Sequence, residues 1–205
     1  MPMPAGSSIF IIAAVAGLLA GCRTPQGVVK PLPEPQPRAE LPPVPPMEGG
    51  RDYWVAFQKN FRDFTTDDKT SGLKPADPLQ LELFITGSET TTGYVEIPGL
   101  RFRKDFTMEP GSVVNIPIDS AAQIRSSGIV EKLGVHVVAD HPVMVYGLNR
   151  RFQTTDTYIA YPTENLGSRY RAVCFRWLQN DLLSQFVVVA TDDSTRVTIH
   201  PSATV

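Results

Sequence analysis

Residues 133–166, LGVHVVADHPVMVYGLNRRFQTTDTYIAYPTENL, decide the fold of this chain. Apolar side chains recur at every second position along residues 133–139, which is the period of a strand with one buried face. Residues 143–148 are apolar on both faces and therefore predict a strand that is covered on both sides. Between these strands, residues 140–142 (Asp-His-Pro) predict a turn, because a proline that begins a strand removes no hydrogen bond from the ladder.

Two further features of the same stretch predict a close contact and a third strand. Gly147 interrupts the second strand, and an isolated glycine in a strand indicates a bulge or a close approach of the backbone to a neighbour. Polar residues 149–155 predict a surface crossing, and residues 157–161 predict a third strand that Pro162 ends. None of these steps requires a helix.

The strand pattern continues on both sides of this stretch. Before it, segments separated by turns predict strands at residues 51–60, 79–85, 94–97, 102–108 and 112–118. After it, strands are predicted at residues 171–177, 185–191 and 196–200. One short helical turn is expected within residues 121–131. Short strands with a turn about every ten residues are typical of a sandwich, so the predicted fold class is an all-β, antiparallel β-sandwich.

Aromatic side chains crowd the first predicted strand. Tyr53 and Phe57 share one face of it, and Trp54 lies on the other. Sugar binding by these rings is one interpretation. A strand with so many rings more often supplies the core of a sandwich, and we therefore predict that they are core residues. Cys174, in an apolar strand, is likewise predicted to be a buried thiol.

Residues 134–149 and 155–173 together resemble the IgGFc-binding protein N-terminal-like domain family. The first segment, GVHVVADHPVMVYGLN, is similar to the family's glycine-led strand, D-x-P element and V-Y-G-L-N end. The second, TDTYIAYPTENLGSRYRAV, carries its T-D-x-Y and P-T elements, and residues 166–170 match its L-G-x-x-Y element. The resemblance extends from Tyr53 to the end of the chain. The family's founding activity is binding of immunoglobulin Fc, but no residue here can be identified with an Fc contact.

The N-terminus predicts export and a lipid anchor. Residues 9–20 form an apolar run of signal-peptide length, which is too short to span a bilayer comfortably. Residues 19–22 (Leu-Ala-Gly-Cys) follow the bacterial lipobox, in which small residues admit the peptidase and the cysteine thiol receives a diacylglycerol. We predict a lipoprotein signal peptide at residues 1–21 and acylation of Cys22. Two or three acyl chains, at about 0.8 kcal/mol per buried CH₂, anchor a protein firmly.

Residues 22–50 predict a disordered, proline-rich linker. Nine of these residues are proline, and almost no apolar pattern remains between them. Such a segment cannot bury enough apolar surface to offset the entropy of ordering, and it favours extended polyproline II. At ~3.1 Å per residue, residues 23–50 would span at most roughly 87 Å. We interpret the segment as a stalk that lifts a folded domain, residues 51–205, away from the membrane.

Composition and motifs argue against several classes of function. The chain has 205 residues and a formal net charge of −2, which gives no sign of a basic surface for nucleic acid. Two cysteines imply no disulfide framework. His136 and His141 lack a further ligand at metal-binding spacing, so we predict no metal and no other cofactor. No G-x-S-x-G, H-E-x-x-H, phosphate-loop or paired-carboxylate motif occurs, so we predict that the protein is not an enzyme.

One polar segment is the candidate ligand site. Arg150 and Arg151 lie in the predicted crossing, and Asp156 lies where the third strand begins. One interpretation is an ion-paired loop, and the other is an edge that binds an anionic group. We take these three as the candidate ligand-binding residues.

A similarity between two hairpins predicts a second unit that begins near Leu183. Residues 81–99 and 184–202 both contain an apolar strand, a turn rich in Thr, Ser and acidic residues, and an alternating strand that ends at a proline. Because a lone hairpin is at best marginally stable, the second copy is expected to dock on the first sandwich or to continue beyond Val205. Chance similarity between two ordinary hairpins is the other interpretation.

These observations predict a bacterial cell-envelope lipoprotein. Lipid at Cys22 would hold it on the outer membrane or cell surface, where it displays a non-catalytic binding or adhesion module. The expected ligand is an extracellular glycoprotein or other protein. One alternative is a glycan-binding module, which exposed aromatic rings at loop tips would favour. Another is an envelope hydrolase, which a cleft with converging carboxylates or histidines would favour.

Overall fold

The computed structural model describes residues 9–14, 49–60, 78–151, 154–173 and 184–201. Cys22, the linker as far as residue 48, and Cys174 lie outside these residues. The acylation of Cys22 and the burial of Cys174 therefore stay predictions.

Antiparallel strands dominate the described residues. They are β1 (Ile9–Ala14), β2 (Gly50–Val55), β3 (Gln80–Gly87), β4 (Thr91–Ile97), β5 (Phe102–Met108), β6 (Val113–Ile118), β7 (Val135–Arg151), β8 (Thr154–Ile159) and β9 (Gln185–Ala190). Single 3₁₀ turns occur at Pro98–Leu100, Ser120–Ala122 and Thr163–Asn165. The second of these overlaps the beginning of residues 121–131, the segment in which the sequence predicts one short helical turn. None of the helical turns in the described ranges has the length and apolar character needed to cross a membrane.

The longest strand, β7, continues without a turn through the Asp-His-Pro segment, so the turn predicted at residues 140–142 is wrong. Residues 136–139 of β7 pair with β4, and residues 143–150 pair with β3. Pro142 therefore lies where β7 changes partners, and neither of these ladders needs its missing N–H. The pairing of β7 with β2 also shifts register at this point.

This change of partners folds one sheet over itself. One half contains β5, β4, the first half of β7 and β2, and the other contains β6, β3, the second half of β7 and β8. At the far side β5 approaches β6. Val137 and Val145, one from each half of β7, both face the enclosed core and are completely buried. The predicted all-β, antiparallel sandwich is confirmed.

The core is formed by alternate side chains of the strands, as the two-residue period requires. Its buried members include Tyr53, Val55, Phe57, Leu81, Leu83, Ile85, Val95, Ile97, Phe106, Met108, Ile116, Ile118, Val135, Val137, Val143 and Val145. The core prediction is confirmed for Tyr53 and Phe57. Trp54 points to the opposite face of β2, where it is partly buried and packs against a second, smaller apolar cluster that contains Ala56 and Val189.

The hairpin between β7 and β8 is tighter than the sequence suggested. Because β7 extends to Arg151 and β8 begins at Thr154, there is no long crossing over residues 149–155. Gly147 lies directly opposite Tyr158. A Cβ atom on Gly147 would stand 2.3 Å from Cζ of the Tyr158 ring, so the predicted close approach at this glycine is confirmed.

The strand β9 lies outside the folded sheet and pairs with β1. Since β1 belongs to the segment predicted as the signal peptide, removal of that peptide would take this partner away from β9. Val189 of β9 is buried against Ala56. The strand predicted at residues 196–200 is wrong, because Val197 and Ile199 are exposed and no described strand pairs with them.

The strand predicted at residues 171–177 is wrong for its first three residues. Residues 171–173 form no strand, and residues 174–177 lie outside the described ranges. The second unit predicted near Leu183 stays a prediction.

Candidate functional site

One outward surface of the sandwich, hereafter the outer face, carries charged and aromatic side chains in register. It is the solvent side of the half-sheet formed by β5, β4, the first half of β7 and β2. Arg103 pairs with Glu96, and both Glu96 and Trp54 pair with His136 from opposite sides. Because successive side chains of a strand alternate between faces, this row lies opposite the buried Val137 layer. Four strands therefore hold the row in fixed positions.

His136 is the centre of this row. Its Nε2 atom lies 2.8 Å from Oδ2 of Asp52, and its Nδ1 atom lies 3.4 Å from Oε1 of Glu96. The Thr163 hydroxyl donates to Oδ1 of Asp52 at 2.5 Å. At the other end of the row, Nη1 of Arg103 lies 3.4 Å from Oε2 of Glu96. A continuous polar chain thus links the turn after β8 to the edge strand β5.

Two aromatic rings pack against this polar chain. The Trp54 ring stacks on the His136 imidazole, with 4.3 Å between ring centroids and 7° between planes. The guanidinium carbon of Arg103 lies 3.7 Å from the centroid of Tyr94, which also meets His136 edge-on. A cation over a ring is attracted by the negative ring face. Each ring therefore has a face covered by a neighbouring side chain, which holds the charged groups in place.

An open concavity of about 510 Å³ lies beside this row. Its lining residues are supplied by β4, β5 and β7, and they include Thr92, Tyr94, Arg103, Asp105, Val138 and Asp140. Thr92 donates a hydrogen bond to Asp140 across β4 and β7. The concavity thus offers carboxylates, a guanidinium, a hydroxyl and an aromatic edge to a ligand.

The chemistry of the outer face fits recognition better than catalysis. Both imidazole nitrogens of His136 face carboxylates, so neither nitrogen faces a substrate. The neighbouring hydroxyl, that of Thr163, donates to Asp52 rather than to the imidazole. In the ranges that the structure describes, no group of three His, Cys, Asp or Glu side chains has the geometry to hold a metal ion.

The structure separates the two arginines of the predicted ligand site. In the β7–β8 hairpin Arg150 pairs with Thr155 and is exposed on the outside. Asp156 pairs with Asn149, whose side chain is buried on the opposite face. Arg151 lies on that same face by alternation. The hairpin therefore brings Arg151 and Asp156 to one side, and it turns Arg150 away from them.

A buried amide network lies next to Asp156. Nδ2 of Asn60 donates to Oδ1 of Asn149 at 2.9 Å, and Nδ2 of Asn149 donates to the Gln58 carbonyl at 2.8 Å. The Thr154 hydroxyl donates to Oδ1 of Asn60 at 2.9 Å. Partial burial beside this network raises the pKa of the Asp156 carboxyl above its ordinary value, because burial disfavours its charged form.

Replacing Asp156 with asparagine is expected to raise the melting temperature at neutral pH. Below the ordinary pKa of 3.8 the carboxyl is protonated in both the folded and unfolded chains. As the pH rises above that value, the unfolded chain releases its proton first, so the native protein loses stability. Thermal melts of both proteins should therefore differ at neutral pH and coincide below pH 3.8. A variant that melts lower at neutral pH would show that the charged carboxylate is instead stabilised.

Sequence reasoning missed the outer face. The neighbours of His136 in this row, Asp52 and Glu96, lie 84 and 40 residues away from it in sequence. A local signal existed, since His136, Glu96 and Trp54 are the outward residues of alternating strands. That signal does not say which strands are neighbours.

The fold places this chain among all-β, antiparallel sandwich modules. The family model described as IgGFc binding protein matches residues 156–205, which confirms the family resemblance over that part of the chain. The matched residues include Asp156, most of β8, the turn with Thr163, and β9. No curated protein and no solved structure shows significant similarity to the chain.

Proposed function

We propose that this protein is a lipid-anchored module of the bacterial cell surface, which binds an extracellular protein or glycoprotein through its outer face. The observation that carries the proposal is the row of charged and aromatic side chains held in register beside an open concavity. The family match to a binding protein supports the same class of function.

The outer face is preorganised for binding a protein. Arginine and aromatic residues are enriched where protein interfaces gain most of their energy. Arg103 is already held by Glu96, by Asp105 at 3.3 Å and by the Tyr94 ring, yet its side chain is 54% exposed. A side chain that is fixed before binding loses little further entropy when a ligand arrives.

The binding experiment compares the two candidate sites. The full chain is tested by surface plasmon resonance against immobilised mucin-type glycoproteins, immunoglobulin G and free glycans. We expect Arg103→Ala to weaken binding by about tenfold or more, while Arg150→Ala, the matched change on the other half-sheet, leaves it unchanged. If Arg150→Ala or Asp156→Ala abolishes binding and Arg103→Ala does not, the hairpin is the site and the outer face is not.

The glycan-binding alternative is supported by Tyr161, which follows β8 and is 49% exposed. This alternative predicts that free glycans compete with the glycoprotein and that Tyr161→Ala weakens binding.

The hydrolase alternative requires a cleft in which carboxylates or histidines converge. Asp52 and Glu96 do converge on His136, but the row lies on an open sheet surface with both imidazole nitrogens engaged.

Membrane attachment is expected to depend on the Cys22 thiol. Cys22→Ser removes the acylated atom and should shift the protein from the membrane fraction to the soluble fraction of fractionated cells, because two or three acyl chains supply the anchoring energy. Cys174→Ser is the matched control and should stay with the membranes. A processed Cys22→Ser protein that still partitions fully with membranes would contradict the lipid anchor.

A further inference from the structure

The loop of residues 124–134, between the 3₁₀ turn at Ser120–Ala122 and β7, presents two adjacent aliphatic side chains to solvent. Ile129 is 68% exposed and Val130 is 93% exposed. Burial of aliphatic surface is favourable, so a neighbouring pair exposed to this extent at a loop tip gains free energy from any apolar environment that receives it.

Hydrogen bonds hold this tip in place. The Glu131 carboxylate accepts from the backbone N–H of Arg125 at 3.0 Å, from the backbone N–H of Ser126 at 3.4 Å and from the Ser126 hydroxyl at 3.0 Å. Gly128, with φ +70°, allows the chain to reverse. The loop also rests on the turn Pro98–Leu100, where a Cβ on Gly99 would stand only 2.0 Å from the Lys132 carbonyl oxygen. The apolar pair is therefore presented by a braced loop.

Basic side chains flank the pair. Arg125 and Lys132 lie in the loop, Arg101 ends the turn on which it rests, and all three are exposed. Glu131 is the one carboxylate within residues 98–101 and 124–134, so these segments carry a net charge of +2. The whole chain has the opposite sign, at −2.

We propose that this loop inserts its tip into the surface of a membrane that contains anionic lipids, so that the folded domain rests on the membrane instead of standing off at the full length of the proline-rich segment. Exposed aliphatic side chains in a loop that also carries Lys and Arg match the two layers of such a surface, an apolar interior beneath negatively charged headgroups. An apolar pocket on a protein would receive Ile129 and Val130 without any need for the cations of the same loop. The site is separate from the outer face, and the proposal does not depend on the ligand bound there.

The test uses the chain without residues 1–21 and with Cys22→Ser, so that neither an acyl chain nor the apolar run of residues 9–20 contributes to binding. Co-sedimentation is measured with vesicles of phosphatidylethanolamine and phosphatidylglycerol, and with vesicles of phosphatidylcholine alone. We expect binding to the anionic vesicles, and Ile129→Ser with Val130→Ser should lower the partition coefficient by about tenfold or more. Lys132→Gln should lower it by about fivefold and reduce its dependence on salt.

Val113→Ser is the matched control, because Val113 is a 61% exposed aliphatic residue on strand β6, outside the loop. It should leave vesicle binding unchanged, and all variants should melt at the temperature of the parent because the changed side chains are exposed. Absence of binding to anionic vesicles overturns the proposal. The loop tip would then be expected to contact a protein partner. Equal binding by the parent and the Ile129→Ser, Val130→Ser variant overturns it as well.

Discussion

Replacing Val145 with aspartate is expected to unfold the sandwich at ambient temperature. Val145 is completely buried on the core side of β7, opposite the equally buried Ile85 of β3. An unpaired carboxylate at this position costs several kcal/mol, which is comparable to the whole 5–15 kcal/mol that stabilises an ordinary domain. Val137→Asp, in the other half of β7, should have the same effect, because one core is shared by both halves.

Circular dichroism melts of the purified variants measure this prediction. The matched control is Val113→Asp, which makes the same chemical change on a side chain that is 61% exposed. The control should melt within a few degrees of the parent, because surface substitutions usually change stability by about 0.5 kcal/mol or less. Parent-like melting of both Val137→Asp and Val145→Asp would contradict the assigned inner face of β7.

Replacing Tyr53 with phenylalanine is expected to cost roughly 2–4 kcal/mol, although the ring stays in place. The Tyr53 hydroxyl accepts from the backbone N–H of Gly50 at 2.7 Å and donates to the carbonyl oxygen of Val143. It thereby joins β2 to β7 at the point where their register shifts. In the variant both backbone groups remain buried without this partner, and each unsatisfied group costs about 1–3 kcal/mol.

The stability of the folded protein at high pH is also expected to depend on the Tyr53 hydroxyl. Burial raises the pKa of Tyr53 to about 12, although the hydrogen bond from the Gly50 N–H by itself lowers this pKa. Between the ordinary value of 10.0 and about 12, the unfolded chain releases this proton while the folded chain retains it. The stability of the parent should therefore fall over this range, and Tyr53→Phe should fall less steeply.

Tyr146→Phe is the matched control for Tyr53→Phe. The Tyr146 side chain is 36% exposed, and its hydroxyl lies 3.9 Å from the Met144 sulfur, which is a weak acceptor. Urea denaturation of the two variants should therefore show a lower midpoint only for Tyr53→Phe. Equal midpoints for Tyr53→Phe and the parent would mean that the hydroxyl does not hold β2 to β7.

At Pro142 the local sequence pattern predicts a turn that the structure does not contain. Asp-His-Pro is a common turn signal, and it predicts a turn between two separate strands. The structure instead keeps one strand of 17 residues and changes its neighbours at the proline. A proline inside a strand is tolerated where no partner requires its N–H, and that depends on β3 and β4, which are distant in sequence.

The alternation of side chains along each strand was determined by the sequence alone. It predicted the all-β class and the core positions of Tyr53 and Phe57, and the isolated glycine predicted the close approach at Gly147, because side-chain alternation and glycine geometry are local properties of the backbone. The motif around Tyr158 also carried the family resemblance that the match to residues 156–205 confirms.

The tertiary structure alone decided which strands are neighbours. Only pairing in space brings Trp54 and Glu96 to the two sides of His136, and only pairing turns Arg150 away from Asp156. Strand register depends on contacts between residues far apart in sequence, and a shift of one residue would reverse every face. The outer face is a property of register, and for that reason local pattern could not reveal it.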